Sequence, residues 1–185
     1  MTLVTNLRGQ LLIASPALLD PNFNRTVVLI AEHDDETGAM GVVLNRETEL
    51  SVAEAAPVLG DVVEAGAMVH EGGPVQPTAV VILAQFHDAG DAAVPVFGDV
   101  GFVAGDADFD ALGPLVGRAR VFAGLAGWSP GQLEAELERD DWILESARAD
   151  DVFTDEPEAL WASVLERKGG SFALVARMPD DPSLN

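Results

Sequence analysis

Short apolar runs separated by polar turns follow one another along the chain, a pattern that predicts buried β-strands. The first three predicted strands are residues 9–14 (GQLLIA), 26–33 (TVVLIAEH) and 41–46 (GVVLNR). Turn-forming residues (DDETGAM) separate the second strand from the third, and Gly38 tolerates the backbone angles of a tight turn. The sequence therefore predicts a two-stranded hairpin across residues 26–46.

Strand and helix signals alternate irregularly in the rest of the chain. Strands are predicted at 67–75 (ending in the Gly72-Gly73-Pro74 turn), 78–86, 120–127 and 171–177, with a short piece, VPVF, inside 88–105. Helices are predicted at 52–59 (after the capping box of Ser51 and Glu54), in broken form within 108–119, after Ser129, and from near Pro157 to Gly169-Gly170. A hairpin among helical segments favours an α+β or mixed α/β fold over a regular βαβ array.

The charge balance limits the partners that this chain can bind. Its 31 acidic residues stand against 10 basic ones, which gives a formal net charge of -21. Such a surface repels phosphate backbones and anionic lipids, so we expect neither direct nucleic-acid binding nor membrane binding. The absence of cysteine excludes disulfides, thiolate nucleophiles and Cys-type zinc sites. No apolar run reaches the length of a membrane span, and no signal peptide is recognised, so a cytoplasmic location is expected.

One short motif has the form of a hydrolase site. Residues 127–131 (GWSPG) match G-x-S-x-G between a predicted strand and a predicted helix, where a nucleophilic serine would lie. However, Pro130 follows the serine and has no N–H for an oxyanion hole. All three histidines also precede Ser129, which is the wrong order for that fold. We therefore interpret Ser129 as a helix N-cap paired with Gln132, and assign no catalytic residue.

The three histidines each have an acidic neighbour, in Glu32-His33-Asp34, His70-Glu71 and His87-Asp88. Adjacent residues of a strand point to opposite faces, so adjacency alone builds no site. Hydrogen-bonded or exposed histidines at strand ends are the simplest interpretation. A carboxylate–histidine metal site assembled from distant segments is the alternative, but no metal or other cofactor is predicted.

Polar residues gather at the two ends of the predicted hairpin that lie opposite its turn. In an antiparallel hairpin the start of the first strand lies beside the end of the second, so these side chains should converge. We call this set the hairpin-end patch; it consists of Asn22, Asn24, Arg25, Asn45 and Arg46. Guanidinium and amide groups together suit a carboxylate, a phosphate or main-chain carbonyls. The patch is therefore a candidate site for a ligand or protein partner.

Two alternatives to a binding role stay open for these residues. The asparagines could cap turns while the arginines pair with local carboxylates. Gly72 and Gly73 are added to the candidate binding residues because their turn could approach a ligand closely, although a turn that needs positive φ angles explains them equally well.

Long strings of the sequence resemble the AlgH/YqgE family of small bacterial proteins. The matching strings are GQLLIASPALLDPNFNRTVVLIAEH, TGAMGVVLNR, HEGGPVQP, AGWSPGQLEAEL followed by Trp142, and the ending DPSLN. They occur in the family's order and span residues 9 to 185. Relatives commonly have a tyrosine before the AGW string where this chain has Leu125, so no role of that phenol carries over.

The resemblance implies a fold more than an activity. It implies a strongly bent mixed sheet with flanking helices and a smaller subdomain. On that basis we predict one domain over residues 1–177, with an internal subdomain around 75–125 and an extended tail at 178–185. Members of the family are often labelled transcriptional regulators. The family has no established enzymatic activity, no settled ligand and no recognisable DNA-binding module.

Two functional hypotheses from different classes follow. The first is a cytoplasmic binding or regulatory module that acts through a protein partner or a small ligand, an anionic one included, without contacting DNA. The second is a hydrolase or transferase that uses polar residues at strand ends, a usual place for sites. The missing thiol, Pro130 and the scattered histidines favour the first. The sequence does not identify the partner or the oligomeric state.

Overall fold

The computed structural model describes residues 6–180 of the chain. Its strands are β1 Gln10–Ala14, β2 Val27–Asp34, β3 Gly38–Val43, β4 Glu47–Ser51, β5 Met68–Glu71, β6 Val75–Phe86, β7 Val94–Phe97, β8 Val100–Phe102, β9 Val116–Trp128 and β10 Trp142–Ser146. Its helices are α1 Val52–Ala55, α2 Phe109–Leu112, α3 Gln132–Glu138, α4 Ala149–Val152, α5 Leu160–Lys168 and α6 Ser171–Val175. The predicted α+β class is confirmed.

The strands form one connected sheet in the order β10-β1-β2-β3-β9-β6-β8-β7, with β4 and β5 off this path. All pairs are antiparallel except β5 with β9, so the sheet is mixed. The long strand β9 pairs with β5 at Phe122 and with β3 at Ala126, so the sheet forks along this strand. The fork brings β5 beside the middle of β9, with β4 paired to the other edge of β5.

The apolar runs of the sequence are continuous, without alternating polar residues, because the central strands are buried on both faces. In β1, Leu11 and Ile13 face one side and join a core cluster that α4, α5 and α6 cover. Leu12 and Ala14 face the other side and pack in the cluster that includes residues of α3. The alternation of side chains along the strand thus gives each face its own core.

The predicted hairpin across 26–46 is confirmed by the antiparallel pairing of β2 with β3. Gly38 has φ of 91°, and a Cβ there would lie 2.0 Å from the carbonyl oxygen of Trp128. This position therefore requires glycine for both its backbone angle and its close contact with β9.

The helix predicted at 52–59 is shorter than expected. Ser51 Oγ accepts a hydrogen bond from the Glu54 N–H (3.2 Å), and the Glu54 carboxylate accepts from the Ser51 N–H (3.4 Å), so the capping box is present. The α-helix ends at Ala55, and Pro57 begins a separate 3-10 turn. Proline lacks the N–H that would continue the α-helical ladder, which explains the break.

The prediction of a last strand at 171–177 is wrong, because residues Ser171–Val175 form α6. Gly169 and Gly170 have positive φ angles of 78° and 60°, which turn the chain back after α5. Phe172 and Val175 then pack against the same core as α5. Their spacing of three residues suits a helix face, and this short apolar run did not distinguish helix from strand.

The chain after α6 lies only in part within the described residues. Residues 176–180 form no regular element after α6, and residues 181–185, which belong to the predicted tail, lie outside the description. The subdomain predicted around 75–125 stays a prediction. Within residues 6–180 no helix is long and apolar enough to cross a membrane.

Candidate functional site

A buried histidine on β5 faces a polar pocket. The side chain of His70 is only 2% exposed, and it contacts the ring of Phe122 on β9 at a centroid distance of 5.6 Å. His70 is paired with Glu47 of β4 on one side and with Phe122 on the other. Directly paired residues share a face of the sheet, so Glu47 and His70 point the same way.

The arginine of the site comes from β9. Arg120 lies two residues before Phe122, and therefore on the same face of the strand as the residue that pairs with His70. Its Nη1 donates a hydrogen bond at 3.1 Å to the carbonyl of Val152, the last residue of α4. The strand pairings thus place Glu47 and His70 in one row with Phe122, and Arg120 beside that row on the same face.

Two loops close the row into a pocket of about 170 Å³. One loop runs into β5 and the other follows α4. The polar side chains that line this space, which we call the His70 pocket, are Glu47, Glu64, His70, Arg120, Thr154 and Asp155. The volume is well above the roughly 15 Å³ that one water needs and below the roughly 300 Å³ at which typical ligand pockets begin. The His70 pocket therefore fits a small molecule.

The protonation state of His70 follows from its contacts. Its Nδ1 lies 3.2 Å from the Met68 carbonyl, which can only accept, so Nδ1 carries the ring proton. Burial, and then the positive charge of Arg120, lower the pKa of His70 from 6.5 to about 4. At pH 7 the ring is neutral, and Nε2 presents a lone pair.

That lone pair has no hydrogen-bond partner among the described residues. The nearest carboxylate oxygen, Oε2 of Glu47, lies 3.9 Å away and is itself an acceptor. Buried side-chain nitrogen atoms are hydrogen-bonded in the large majority of cases, so we expect a molecule in the pocket, water included, to donate to Nε2.

Arg120 balances the acidic groups around it only in part. Burial lowers the pKa of Arg120, while the negative charges of Glu47, Glu64 and Asp155 raise it. Within residues 6–180 the guanidinium forms no ion pair with any of these carboxylates. Three carboxylates therefore surround one guanidinium and one neutral imidazole, and part of the donor capacity of Arg120 faces the pocket.

The residues of the hairpin-end patch contact one another through the side chains of Asn45 and Arg46 and the main chain of Asn22, Asn24 and Arg25. Arg46 donates to the main-chain carbonyls of Pro21 (2.8 Å), Asn22 (2.8 Å) and Asn24 (3.3 Å). Asn45 accepts from the Val27 N–H at 2.9 Å and donates to the Arg25 carbonyl at 2.8 Å. The contacts of Arg46 and Asn45 tie the loop before β2 to the end of β3.

Arg25 contacts the segment that follows α6. Its guanidinium lies 4.2 Å from the ring centroid of Trp161, donates to the carbonyls of Met178 and Pro179, and pairs with Asp180 at 3.0 Å. Both arginines of the patch thus bind groups of their own chain. A ligand at the patch stays a prediction, and the structure points instead to the His70 pocket.

Gly72 and Gly73 lie where the chain leaves β5 and passes close to β9. A Cβ on Gly72 would lie 2.2 Å from the Gly124 carbonyl oxygen, and one on Gly73 would lie 2.2 Å from that of Leu125. The main chain of Gly72 also bonds to β3 and to β9, at 2.9 and 2.8 Å. The space around both glycines is filled by the sheet, which gives them a packing role at the fork.

The other two histidines have simpler environments. His33 is buried, accepts from the Leu7 N–H through Nδ1 at 3.2 Å, and bonds through Nε2 to Glu134 at 2.6 Å. The pKa of Glu134 is lowered by this bond, against the opposing effect of burial. His87 is exposed. Within the described part of the chain, no histidines and carboxylates are grouped to hold a metal ion.

Ser129 is exposed and lies before α3 rather than at its cap position. The helix begins at Gln132 with Gly131, at φ of 79°, as the N-cap residue. The Gln132 side chain accepts from the Ser129 N–H at 3.0 Å, so only this half of the predicted reciprocal cap is present. Because Gly131 and not Ser129 is the cap residue, the predicted assignment of the cap is wrong.

The sequence signals that we used did not identify Glu47 and Arg120. One signal was available for Arg120, since a charged residue within a strand as apolar as residues 120–127 has to find a polar environment. Glu47 had no such signal, because it lies among other acidic residues and is half-exposed.

Comparison with known proteins gives consistent matches along the sequence. The profile of a family described as AlgH-like matches residues 11–173. A UPF0301 protein from Streptomyces coelicolor is 44% identical over 191 aligned positions, which cover 100% of this chain and 98% of the relative. A UPF0301 protein from Chlorobaculum tepidum is 41% identical over 184 positions, which cover 96% and 95%.

Two solved structures share the fold. The crystal structure of a protein from Corynebacterium diphtheriae superposes with a TM-score of 0.86 at 30% identity, over 92% of this chain and 91% of that one. The solution structure of the AlgH protein from Pseudomonas aeruginosa gives a TM-score of 0.71 at 29% identity, over 97% of each chain. The likeness therefore extends over nearly the full length in both sequence and fold.

Proposed function

The chain belongs to the AlgH-like family, and we propose that it is a binding module whose ligand is a small polar molecule held in the His70 pocket. The unpartnered Nε2 of His70 is the observation that carries this proposal. The ring is held by its own Nδ1–H bond to Met68, so it does not need Nε2 for its orientation. A bound molecule with a hydrogen-bond donor would supply the partner that this nitrogen lacks.

The surroundings of Nε2 support a ligand site. Arg120 and Thr154 offer donors, while Glu47 and Asp155 offer acceptors that line the same space. A small number of polar groups that converge on a concave surface is the usual arrangement in binding sites. Glu47, His70 and Arg120 lie on strands at the fork of the sheet, whose pairing holds these three groups in place, while Thr154 and Asp155 come from the loop after α4.

The same geometry disfavours the hydrolase or transferase hypothesis. A general base works best when its pKa lies near the working pH, and the pKa of His70 is lowered to about 4. Ser129, the residue of the G-x-S-x-G motif, is exposed and bonds to no histidine within residues 6–180. Binding without chemistry is therefore the better-supported function.

A regulatory role would follow from binding rather than from contact with DNA. The formal net charge of -21 makes the approach of a phosphate backbone unfavourable. Any control of transcription would then pass from the occupied pocket to a protein partner. The absence of a gel shift with any DNA at low ionic strength is the expected result for this chain.

The direct test is a ligand-observed NMR screen of small polar molecules against four proteins. These are the wild type, His70→Gln, Arg120→Gln and the matched control Arg139→Gln, which removes an exposed arginine that pairs with Asp141 and does not line the pocket. We expect to find compounds that bind the wild type and the control with equal affinity. The same compounds should bind His70→Gln and Arg120→Gln at least about tenfold more weakly.

Two outcomes would overturn the proposal. One is a screen in which no compound binds the wild type at millimolar concentration. The other is a set of compounds that bind His70→Gln and Arg120→Gln as tightly as the wild type, after circular dichroism has shown that both variants fold.

A further inference from the structure

The arrangement of acceptors in the His70 pocket identifies a ligand class. We infer that the pocket takes a small protonated amine that also carries a neutral oxygen, with the ammonium group bound by Glu47 and His70 and the oxygen by Arg120. This inference rests on the proposed function and deepens it.

The first step concerns the two acceptors that face each other. Nε2 of His70 and Oε2 of Glu47 lie 3.9 Å apart, and neither carries a proton to share with the other. One ammonium nitrogen about 2.9 Å from both would satisfy them, because it has three N–H donors and needs no acceptor in return. Nε2 itself exposes less than 1 Å² in the structure, so this approach requires the half-exposed side chain of Glu47 to shift. A hydroxyl has a single hydrogen and can satisfy only one of them.

The second step concerns charge. Glu47, Glu64 and Asp155 line the pocket against one guanidinium, and the whole chain is strongly acidic. A cleft lined mainly by carboxylates attracts cations and repels free anions. The anionic ligand considered from the sequence therefore does not suit this pocket. A metal ion does not suit it either, since no group of three or more His or acidic residues within residues 6–180 is arranged to hold one.

The third step concerns Arg120, which a simple alkylamine would leave without a partner. Its Nη1 is fixed by the bond to Val152, and no other hydrogen bond of its guanidinium is formed within the described residues. A hydroxyl or carbonyl oxygen on the ligand would accept from the remaining N–H groups. A neutral oxygen suits this position better than a carboxylate group of the ligand, because three carboxylates of the protein already act on the guanidinium.

The test uses three molecules of nearly equal size: ethanolamine, ethylene glycol and glycolate. Each has a CH2OH group at one end. At the other end ethanolamine carries an ammonium group, ethylene glycol a second hydroxyl and glycolate a carboxylate. Each is titrated at pH 7.5 into protein labelled in its histidine rings, and the His70 ring resonance, assigned by its loss in His70→Gln, reports binding. We expect saturable binding of ethanolamine, and binding of the other two at least tenfold weaker.

Charge-neutral variants locate the ammonium group. Glu47→Gln should weaken ethanolamine binding tenfold or more, and Glu64→Gln, at an exposed position, severalfold. Glu36→Gln is the matched control, since it removes the same charge from the exposed turn between β2 and β3; its affinity should equal that of the wild type. Glu64→Gln keeps the test decisive if Glu47→Gln does not fold.

The outcomes separate this inference from the proposed function. Glycolate or ethylene glycol binding as tightly as ethanolamine, with loss of binding in His70→Gln, would overturn the amine class and leave the binding module intact. No response of the His70 resonance to any of the three molecules would also overturn the inference that the ligand is an amine. The ligand-observed NMR screen described for the proposed function would then decide whether the pocket binds a small molecule at all. Equal weakening by Glu36→Gln would show only nonspecific attraction and would overturn the amine class as well.

Discussion

At the scale of single residues, the binding hypothesis depends on a histidine kept neutral by its surroundings. Burial and the nearby guanidinium of Arg120 both disfavour the imidazolium, and the bond to Met68 fixes which nitrogen is bare. Oε2 of Glu47 lies 3.9 Å from Nε2, too far for a hydrogen bond, and no group of the described residues donates to that nitrogen. The result is an acceptor that needs a donor from outside the protein.

The lowered pKa of His70 predicts a loss of stability in acid. The folded-state pKa of about 4 lies below the unfolded value of 6.5, so the unfolded chain takes up a proton first as the pH falls. The contribution of His70 to the free energy of unfolding is fully present above pH 6.5 and is lost as the pH falls from 6.5 to 4. The total loss from this group is up to about 3 kcal/mol. Urea unfolding at pH 7 and 4.5 should show a smaller acid loss for His70→Gln than for wild type.

The exposed His87 provides the control for this measurement. His87→Gln should lose as much stability in acid as the wild type. Equal acid losses in wild type and His70→Gln would mean that His70 is not held neutral, and the acceptor argument would fail.

Glu136 supports the fold through a different residue-scale device. Its Oε2 accepts from the indole N–H of Trp128 at 2.9 Å and from that of Trp142 at 2.7 Å. Both tryptophans are 5% exposed, so Glu136→Ala would leave two buried donors unpartnered. We expect a loss of about 3 kcal/mol in the free energy of unfolding, measured by urea denaturation followed by tryptophan fluorescence. Glu138→Ala, at an exposed position of the same helix, should change it by less than about 0.5 kcal/mol, and equal losses would contradict this role.

The sequence could predict part of the residue-scale arrangement. The register of a hairpin brings Arg25 and Asn45 together, and the structure has that contact. The acceptors that occupy Arg25 and Arg46 could not be foreseen, because main-chain carbonyls of distant segments carry no sequence signature. The row that includes His70 depends on the pairing of β5 with β9, which joins residues far apart in the chain.

At the scale of elements, the fork of the sheet requires glycine. Gly73 has φ of 148°, and a Cβ there would overlap the main chain of β9. Gly73→Ala should therefore separate β5 from β9 and destabilise the protein by more than about 4 kcal/mol, seen as loss of soluble protein or a large fall in Tm. Gly131→Ala is the control, since Gly131 has φ of 79° but open space around it; strain alone should cost about 1–2 kcal/mol. A Gly73→Ala protein as stable as Gly131→Ala would contradict the close approach.

Local patterns predicted elements well where burial and turn chemistry agreed. The strands of the hairpin carry β-branched residues on both sides of a turn, and their pairing is confirmed. The strand prediction for residues 171–177 failed because the apolar residues there suit either period. In α6, Phe172 and Val175 lie three residues apart and pack on the same core.

At the scale of the whole molecule, the net charge of -21 acts against the compact state through self-repulsion. Salt screens this repulsion, since the Debye length falls from about 30 Å at 0.01 M to about 3 Å at 1 M. We therefore expect the Tm to rise by several degrees between 0.01 and 0.5 M NaCl. A Tm that falls with salt would show that attractive surface pairs outweigh the repulsion.

The measurement closest to the central claim is a nitrogen-15 spectrum of the histidine rings at pH 7, recorded on the protein alone and again with ethanolamine. We predict a neutral His70 ring with its proton on Nδ1, a bare Nε2, and a shift of the Nε2 resonance when ethanolamine is added. A proton on Nε2 in the protein alone, already bonded within the fold, would contradict the account, because the pocket would then hold no unpartnered acceptor.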